Sequence, residues 1–265
     1  MKQDAHIHSP FCPHGTKDSF ELYIEKAISN GFTHISFTEH APAPKGFIDT
    51  VPDRDSFLDD KLLEPYLFKL QQLKKQYAPH ISIKIGLEFD FIQGFEEETS
   101  KLLNHIGPSL DDSILSVHFL LHGDKYTCID YSPESFMYFK DQLGSVENVY
   151  SLYYQTVQDS ITAHLGPYKP KRIGHPTLIH KFQHFHGEPI DDHALIDTTL
   201  ELMKDHGFEL DVNSAGLAKK YCLEPYPPLR YIAAARKMGI PLIFGSDAHS
   251  VQDLHQYYED VYTES

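Results

Sequence analysis

The chain has 265 residues, 41% hydrophobic and 23% charged, which is enough to bury a sizeable core within one α/β barrel. Its formal net charge of −15 argues against a protein that grips a nucleic-acid backbone, since that task asks for a basic face. No apolar run approaches the ~18 residues of a membrane-spanning helix, and Met1-Lys2-Gln3-Asp4 lacks the apolar core of a secretory leader, so a cytoplasmic location is expected.

The first strand is predicted over Gln3 to His8. A helix follows from Ser19 to Asn30, with Asp18 as its N-cap, Glu21 three residues on and Gly31 as its stop. Next come a strand over Thr33–Thr38, a Pro-rich loop through Arg54, a helix from Phe57 to Tyr77 and a strand over Ile81–Phe89. The helix Glu96–Ile106 and the strand Ser113–His118 lead into an irregular stretch, Phe119 to Ser132, expected to cross over the mouth of the fold. Two helices, Pro133–Leu143 and Val146–Leu165, precede a short strand over Lys171–His175 and a loop carrying Lys181, His184 and His186. Helix Asp192–Asp205, strand Phe208–Val212, helix Pro228–Met238 and strand Ile240–Ser246 complete the pattern. Alternation of β-branched runs with amphipathic helices predicts βα units and a parallel sheet. No repeat, low-complexity tract or linker divides the chain, so residues 1–265 read as one domain.

Histidine is the compositional anomaly, at 18 residues. Residues two apart on a strand share a face, so Asp4-Ala5-His6-Ile7-His8 and Asp247-Ala248-His249 each aim a pair of metal-capable side chains at one point. In parallel α/β barrels the active face lies at the C-terminal ends of the strands. His6, His8, His40, Glu88, His118, His175, Asn213, Asp247 and His249 all fall at such ends, one or two per strand. Together they predict a multinuclear metal site. His80, His105, His193, His206 and His255 have no evident partner and read as solvated. Cys12, Cys128 and Cys222 lack paired spacing and read as reduced thiols. Cys12 is expected beside the site but not as a ligand.

The segments Asp4-Ala5-His6-Ile7-His8-Ser9, Phe37-Thr38-Glu39-His40, Gly86-Leu87-Glu88, Ser116-Val117-His118, Ile173-Gly174-His175 and Gly245-Ser246-Asp247-Ala248-His249 resemble the motifs of the polymerase-and-histidinol-phosphatase (PHP) superfamily. They occur in that family's order and span nearly the whole chain. The resemblance implies a distorted (β/α)7 TIM-like barrel, with a metal site at the C-terminal ends of its strands and two or three divalent ions. It implies one ion on His6, His8, Glu88 and Asp247, a second bridged by Glu88 to His118 and His175, and a third on His14, His40 and His249. Asp18 is the local competitor of His14. Abundant imidazole favours Zn, Fe or Mn over Mg. Asp4 and Glu39 are expected to orient ligand imidazoles, and Asn213 to line the site as a donor or to stand behind it.

Within that superfamily, Gly86-Leu87-Glu88-Phe89-Asp90 and Asp211-Val212-Asn213-Ser214-Ala215-Gly216-Leu217 are similar to the stand-alone phosphatases that act on histidinol phosphate. The implied reaction is hydrolysis of L-histidinol phosphate to L-histidinol and phosphate in histidine biosynthesis, by a metal-bound hydroxide, with Glu88 in the bridging place and either Asp247 or His249 assisting proton transfer. The implied partner is a small phosphate monoester, with no nucleic acid and no membrane. A protein cation for the phosphate is expected from Lys181, or from Lys219 or Lys220. Phe47, Asp49, Asp53 and Phe119 to Tyr126 are candidates for an acidic, aromatic wall around the leaving group. The alternatives are a related phosphoesterase acting on nucleotides or nucleic-acid ends, a barrel retained as a non-catalytic module, and an amidohydrolase.

Overall fold

Apolar runs bounded by turn residues become the staves of a barrel in the computed structural model, which describes residues 2–262. In chain order the elements are β1 (Gln3–Ile7), α1 (Phe20–Ser29), β2 (His34–His40), α2 (Asp60–Tyr77), β3 (Ser82–Asp90), α3 (Glu96–Ile106), β4 (Asp112–Ser116), β5 (Phe119–His122), β6 (Lys125–Cys128), α4 (Pro133–Leu143), α5 (Val146–Thr162) and β7 (Arg172–Ile173). They continue with α6 (Gln183–His186), α7 (His193–Asp205), β8 (Glu209–Asn213), α8 (Leu229–Met238), β9 (Leu242–Gly245) and α9 (Tyr258–Val261). Seven of the strands form one sheet in the order β1-β2-β3-β4-β7-β8-β9, and every pairing in it is parallel. A parallel bridge between Ile7 and Ala248, just past β9, nearly closes the sheet on itself. This is the expected (β/α)7 barrel.

Closure forces the strand interiors together, and two residues show how. A Cβ at Gly245 would stand 2.5 Å from both His6 Cβ and Asp211 Oδ1, so only glycine lets β9 pass this close to β1 and β8. Arg172 on β7 is 2% exposed and sends its guanidinium across the barrel, where Nη2 donates to Ala5 O at 3.0 Å and reaches Asp112 Oδ1 at 3.1 Å. The pairing satisfies a charge that would be prohibitive in isolation. Outside the barrel, α5 buries Val146, Val149, Tyr150, Tyr153, Tyr154, Val157 and Ile161, the 3–4 spacing that identifies it as an amphipathic helix.

The structure departs from the sequence expectations in four local ways. Ser19, not Asp18, caps α1 by accepting from Leu22 N; Asp18 Oδ2 accepts instead from Thr16 Oγ1 and Val251 N, tying the loop after β1 to the loop after β9. Helix α2 begins at Asp60 behind an Asp59 cap, because Phe57 is drawn into ring contacts with Phe47 and Phe119. The stretch expected to be irregular contains the antiparallel hairpin β5–β6, turned at Gly123 with φ 64°. Gly-Asp between two apolar runs is a hairpin signal. Strand β7 is only two residues long, because the chain turns away at His175 with φ 26°.

Candidate metal centre

The C-terminal strand ends open into a cavity of about 450 Å³ whose wall includes Glu88, His118, His175, Asp247, His249, His40 and His14. At its floor lies Glu88, 1% exposed, with imidazoles on all sides. Glu88 Oε1 is 3.0 Å from His175 Nε2 and 4.0 Å from His118 Nε2. Oε2 is 3.2 Å from His40 Nδ1, 3.5 Å from His6 Nε2 and 3.6 Å from His8 Nε2. Asp247 Oδ1 completes the group, 3.1 Å from His8 Nε2 and 3.6 Å from His6 Nε2. His249 stacks on His8 with ring centroids 3.9 Å apart, and His14 stands 4.9 Å from His249 and 5.1 Å from His40. All nine residues expected to ligate metal are therefore drawn to one place.

The rings are also turned in a common sense. His6 Nδ1 donates to Asp211 Oδ2 at 2.8 Å, His8 Nδ1 to Glu39 Oε1 at 3.3 Å and His118 Nδ1 to Asp90 Oδ1 at 2.8 Å. His14 Nδ1 donates to Asp55 O at 2.8 Å and His249 Nδ1 to Asp247 O at 3.0 Å. In each case the outer nitrogen is occupied and Nε2 is left as the free donor, the arrangement of a metal-ligating imidazole. His6 Nε2, His8 Nε2, both His40 nitrogens and His175 Nδ1 are buried without a hydrogen-bond partner. Buried nitrogens of this kind ordinarily find partners. A divalent cation supplies one, and the donor set fits it: His6, His8 and Asp247 form one group of mutually close donor atoms, and Glu88, His118 and His175 form another.

The electrostatics of the cluster follow from its crowding. Burial pushes the Glu88 carboxyl up, but His6, His175 and His40 outweigh it and hold the group well below the usual carboxylate range. Asp247 is likewise held low by His6, His8 and His249 against the pull of burial. Burial and the neighbouring His8 push the His40 ring well below the usual imidazole range. Asp247 sits at φ 51° and His175 at φ 26°. Non-glycine residues held there cost ~1–3 kcal/mol each, a strain that concentrates at functional sites.

Several expected roles change. Asp4 does not hold a ligand imidazole; it accepts from Ser246 N at 3.0 Å and from His255 Nδ1 at 2.8 Å. His255 is consequently buried, stacked on Phe32, and not solvated, and His193 bonds the Tyr231 hydroxyl. Of the two places expected for Asn213, it takes the one behind the site and not the one on the cavity wall: it is fully buried, and Nδ2 donates to Asp211 Oδ2 and Asp247 Oδ2 at 3.2 Å each. Lys181 and Lys219 do line the cavity, and Lys181 Nζ is held 2.8 Å from Asp130 Oδ2. Lys220 lies over the Tyr221 ring. The anticipated wall is ordinary packing: Phe47, Phe119 and Tyr126 form an aromatic cluster, and Asp49 accepts from Val51 N and Ser56 N. Asp55, Tyr131, Asp253 and Gln256 border the cavity instead.

Two acids went unread in the sequence. Asp90 lies two residues after Glu88 and Asp211 two before Asn213, so the same alternate-residue rule that paired His6 with His8 also points them into the barrel. Cys12 lies beside the site, as expected. Burial works against its thiolate, yet contacts with His14, His249 and His8 bring the thiol down to about 3.

Residues 4–215 match the PHP domain. The chain belongs to the PHP domain family. Among relatives of this PHP protein, the histidinol-phosphatase of Bacillus subtilis (strain 168) is 44% identical over 261 residues, covering 98% of this chain and 97% of the relative. The solved structure of hisK from Listeria monocytogenes superposes with a TM-score of 0.93 at 38% identity, covering 99% of this chain and 100% of that one. Histidinol phosphate phosphatase from Lactococcus lactis, solved in complex with Zn, L-histidinol and phosphate, shares the PHP fold with a TM-score of 0.72 at 20% identity, over 99% of this chain and 94% of that one.

Proposed function

We propose that the chain is a metal-dependent phosphatase that hydrolyses L-histidinol phosphate to L-histidinol and phosphate, a step of histidine biosynthesis. One observation carries the reading: the 44% identity to the B. subtilis histidinol-phosphatase extends over 98% of the chain and is not confined to a shared barrel core. The donor set supports it. His6, His8, Glu88 and Asp247 suit one divalent ion, Glu88, His118 and His175 a second, and His40 and His249, with His14 beside them, a third. Imidazole-rich surroundings favour Zn, Mn or Fe. Such ions acidify water, orient the ester and neutralise charge on a phosphoryl group whose uncatalysed hydrolysis is extremely slow.

The chain's own residues do the rest. Glu88 fixes the spacing of the imidazoles around it. Asn213 holds Asp247 by its Oδ2, which keeps Oδ1 turned toward His6 and His8. Asp130 positions the Lys181 ammonium at the cavity wall, where it can pair with a phosphate oxygen. Lys219 lines the same wall.

The reading is tested by phosphate release from histidinol phosphate against 3′- and 5′-phosphorylated nucleotides, using zinc-, manganese- and iron-loaded protein. Histidinol phosphate is expected to turn over with the highest kcat/KM; a preference for nucleotides would replace this reading with a nucleotide phosphoesterase. Lys181→Ala is expected to raise KM about 10- to 100-fold, the loss of a charge-assisted contact of ~1.5–3 kcal/mol, with metal content unchanged. An unaltered KM would remove Lys181 from the phosphate site.

A further inference from the structure

The thiol of Cys12 stands in a place that packing does not explain. Its Sγ, with one nitrogen each from His8, His40 and His249, forms a set of donor atoms all within 4.8 Å of one another. Cys12 is completely buried, and both ring nitrogens of His40, itself 7% exposed, lack a hydrogen-bond partner. The loop after β1 is built to hold the sulfur there. Cys12 N donates to Ser9 O at 2.9 Å, and Lys17 Nζ donates to Cys12 O at 2.7 Å and to Pro10 O at 3.2 Å. Thr16 N donates to His249 O at 2.9 Å, binding the loop to the very residue the sulfur faces. Gly15 closes over the thiol so tightly that a Cβ there would lie 3.4 Å from Sγ and 3.1 Å from Cys12 Cβ.

The four donors cannot all serve one ion. Nδ1 of His8 is spent on Glu39, and its Nε2 lies 3.1 Å from Asp247 Oδ1, which commits it to the group with His6. His40 Nδ1 faces Glu88 Oε2 at 3.2 Å, leaving Nε2 for a different partner. His249 Nδ1 is taken by a backbone carbonyl, leaving its Nε2. What remains is one sulfur and two imidazole nitrogens, with the free Nε2 of His14 beside them on the cavity side. A thiolate among imidazoles selects a softer cation than carboxylates do.

We propose that Cys12 Sγ is a metal ligand, completing with His40 and His249 a site for a thiophilic divalent cation such as Zn²⁺ or Co²⁺. On binding, the S–H bond is broken, the sulfur–metal bond forms and the proton leaves to solvent. The proposal rests on the reading of the mouth as a metal centre, and it gives one ion of that centre a ligand chemistry the others lack.

The test is spectroscopic. Apoprotein is titrated with Co²⁺ until bound metal per chain stops rising, and the near-ultraviolet spectrum is recorded. A thiolate-to-cobalt charge-transfer band is expected in the wild type, lost in Cys12→Ser and retained in Cys128→Ser, whose sulfur also borders the cavity. Cys12→Ser is further expected to surrender cobalt at a chelator concentration about 10-fold lower or less, since even outer-shell partners of a ligand are worth ~10–100-fold in affinity. A cobalt-saturated wild type without the band overturns the proposal by itself, so a misfolded variant cannot shelter it. Survival of the band in Cys12→Ser overturns it too. Phosphate release by the zinc form is measured alongside: a band without histidinol phosphate hydrolysis would sink the proposed function and leave the Cys12 assignment standing, and hydrolysis without a band the reverse.

Discussion

Glu88→Gln is expected to lower phosphate release by about 1000-fold or more, a loss at the upper end of what removing one preorganised charge-stabilising group costs. The amide keeps the shape of the carboxyl group but discards its charge and one of its two acceptor oxygens. Those two oxygens lie within 4.0 Å of nitrogens from His6, His8, His40, His118 and His175, so a single atom change disturbs five rings. The buried amide N–H₂ must then face nitrogens that also need a cation or a proton. Metal content, measured by mass spectrometry on protein purified without added metal, is expected to fall together with the rate. A variant that keeps both its full metal complement and a near-native rate would remove Glu88 from the bridging place.

Stripping the bound cations is expected to lower the melting temperature by roughly 10 °C. An ion bound about 1000-fold below its free concentration stabilises the folded state by ~4 kcal/mol, and in a chain of this size ~1 kcal/mol moves Tm by about 2–4 °C. The reason lies in the buried nitrogens of His6, His8, His40 and His175, which lose their partner without gaining water. Calorimetry before and after exhaustive chelation, with metal loss verified and then reversed by zinc or manganese, reads the shift. An unchanged Tm in verified apoprotein would mean that the imidazoles are satisfied without metal.

Much of this fold and site is readable along the chain because the signals are local. Gly31 with φ 75° and Gly239 with φ 79° end α1 and α8 as their positions suggest. His6 and His8 are paired by the alternation of a strand, and Glu88, His118 and His249 by standing at strand ends. The misreadings are of two kinds. Some were local signals left unused, such as Gly123-Asp124 in the hairpin, and Asp90 and Asp211 two residues from Glu88 and Asn213. Others have no local signal at all: Asp4 meets His255 across 251 positions, and Lys181 meets Asp130 across 51. Asp4, read as the neighbour of a ligand, was claimed by a partner that only closure of the barrel delivers.

The sequence by itself determined the alternation of strand and helix, the strand ends on which imidazoles and acids fall, and membership of a family whose members share that order. Periodicity and turn chemistry are properties of a few neighbouring residues, and they survive in any projection of the chain. The tertiary structure alone decided which nitrogen of each ring is free, that Asn213 serves Asp247 and not the cavity, and that Cys12 faces His40 and His249. Those facts depend on the distance between β9 and β1 at Gly245, on the reach of Arg172 across the barrel and on the curl of the loop after β1. Contacts of that kind exist only once seven strands have closed around a common axis.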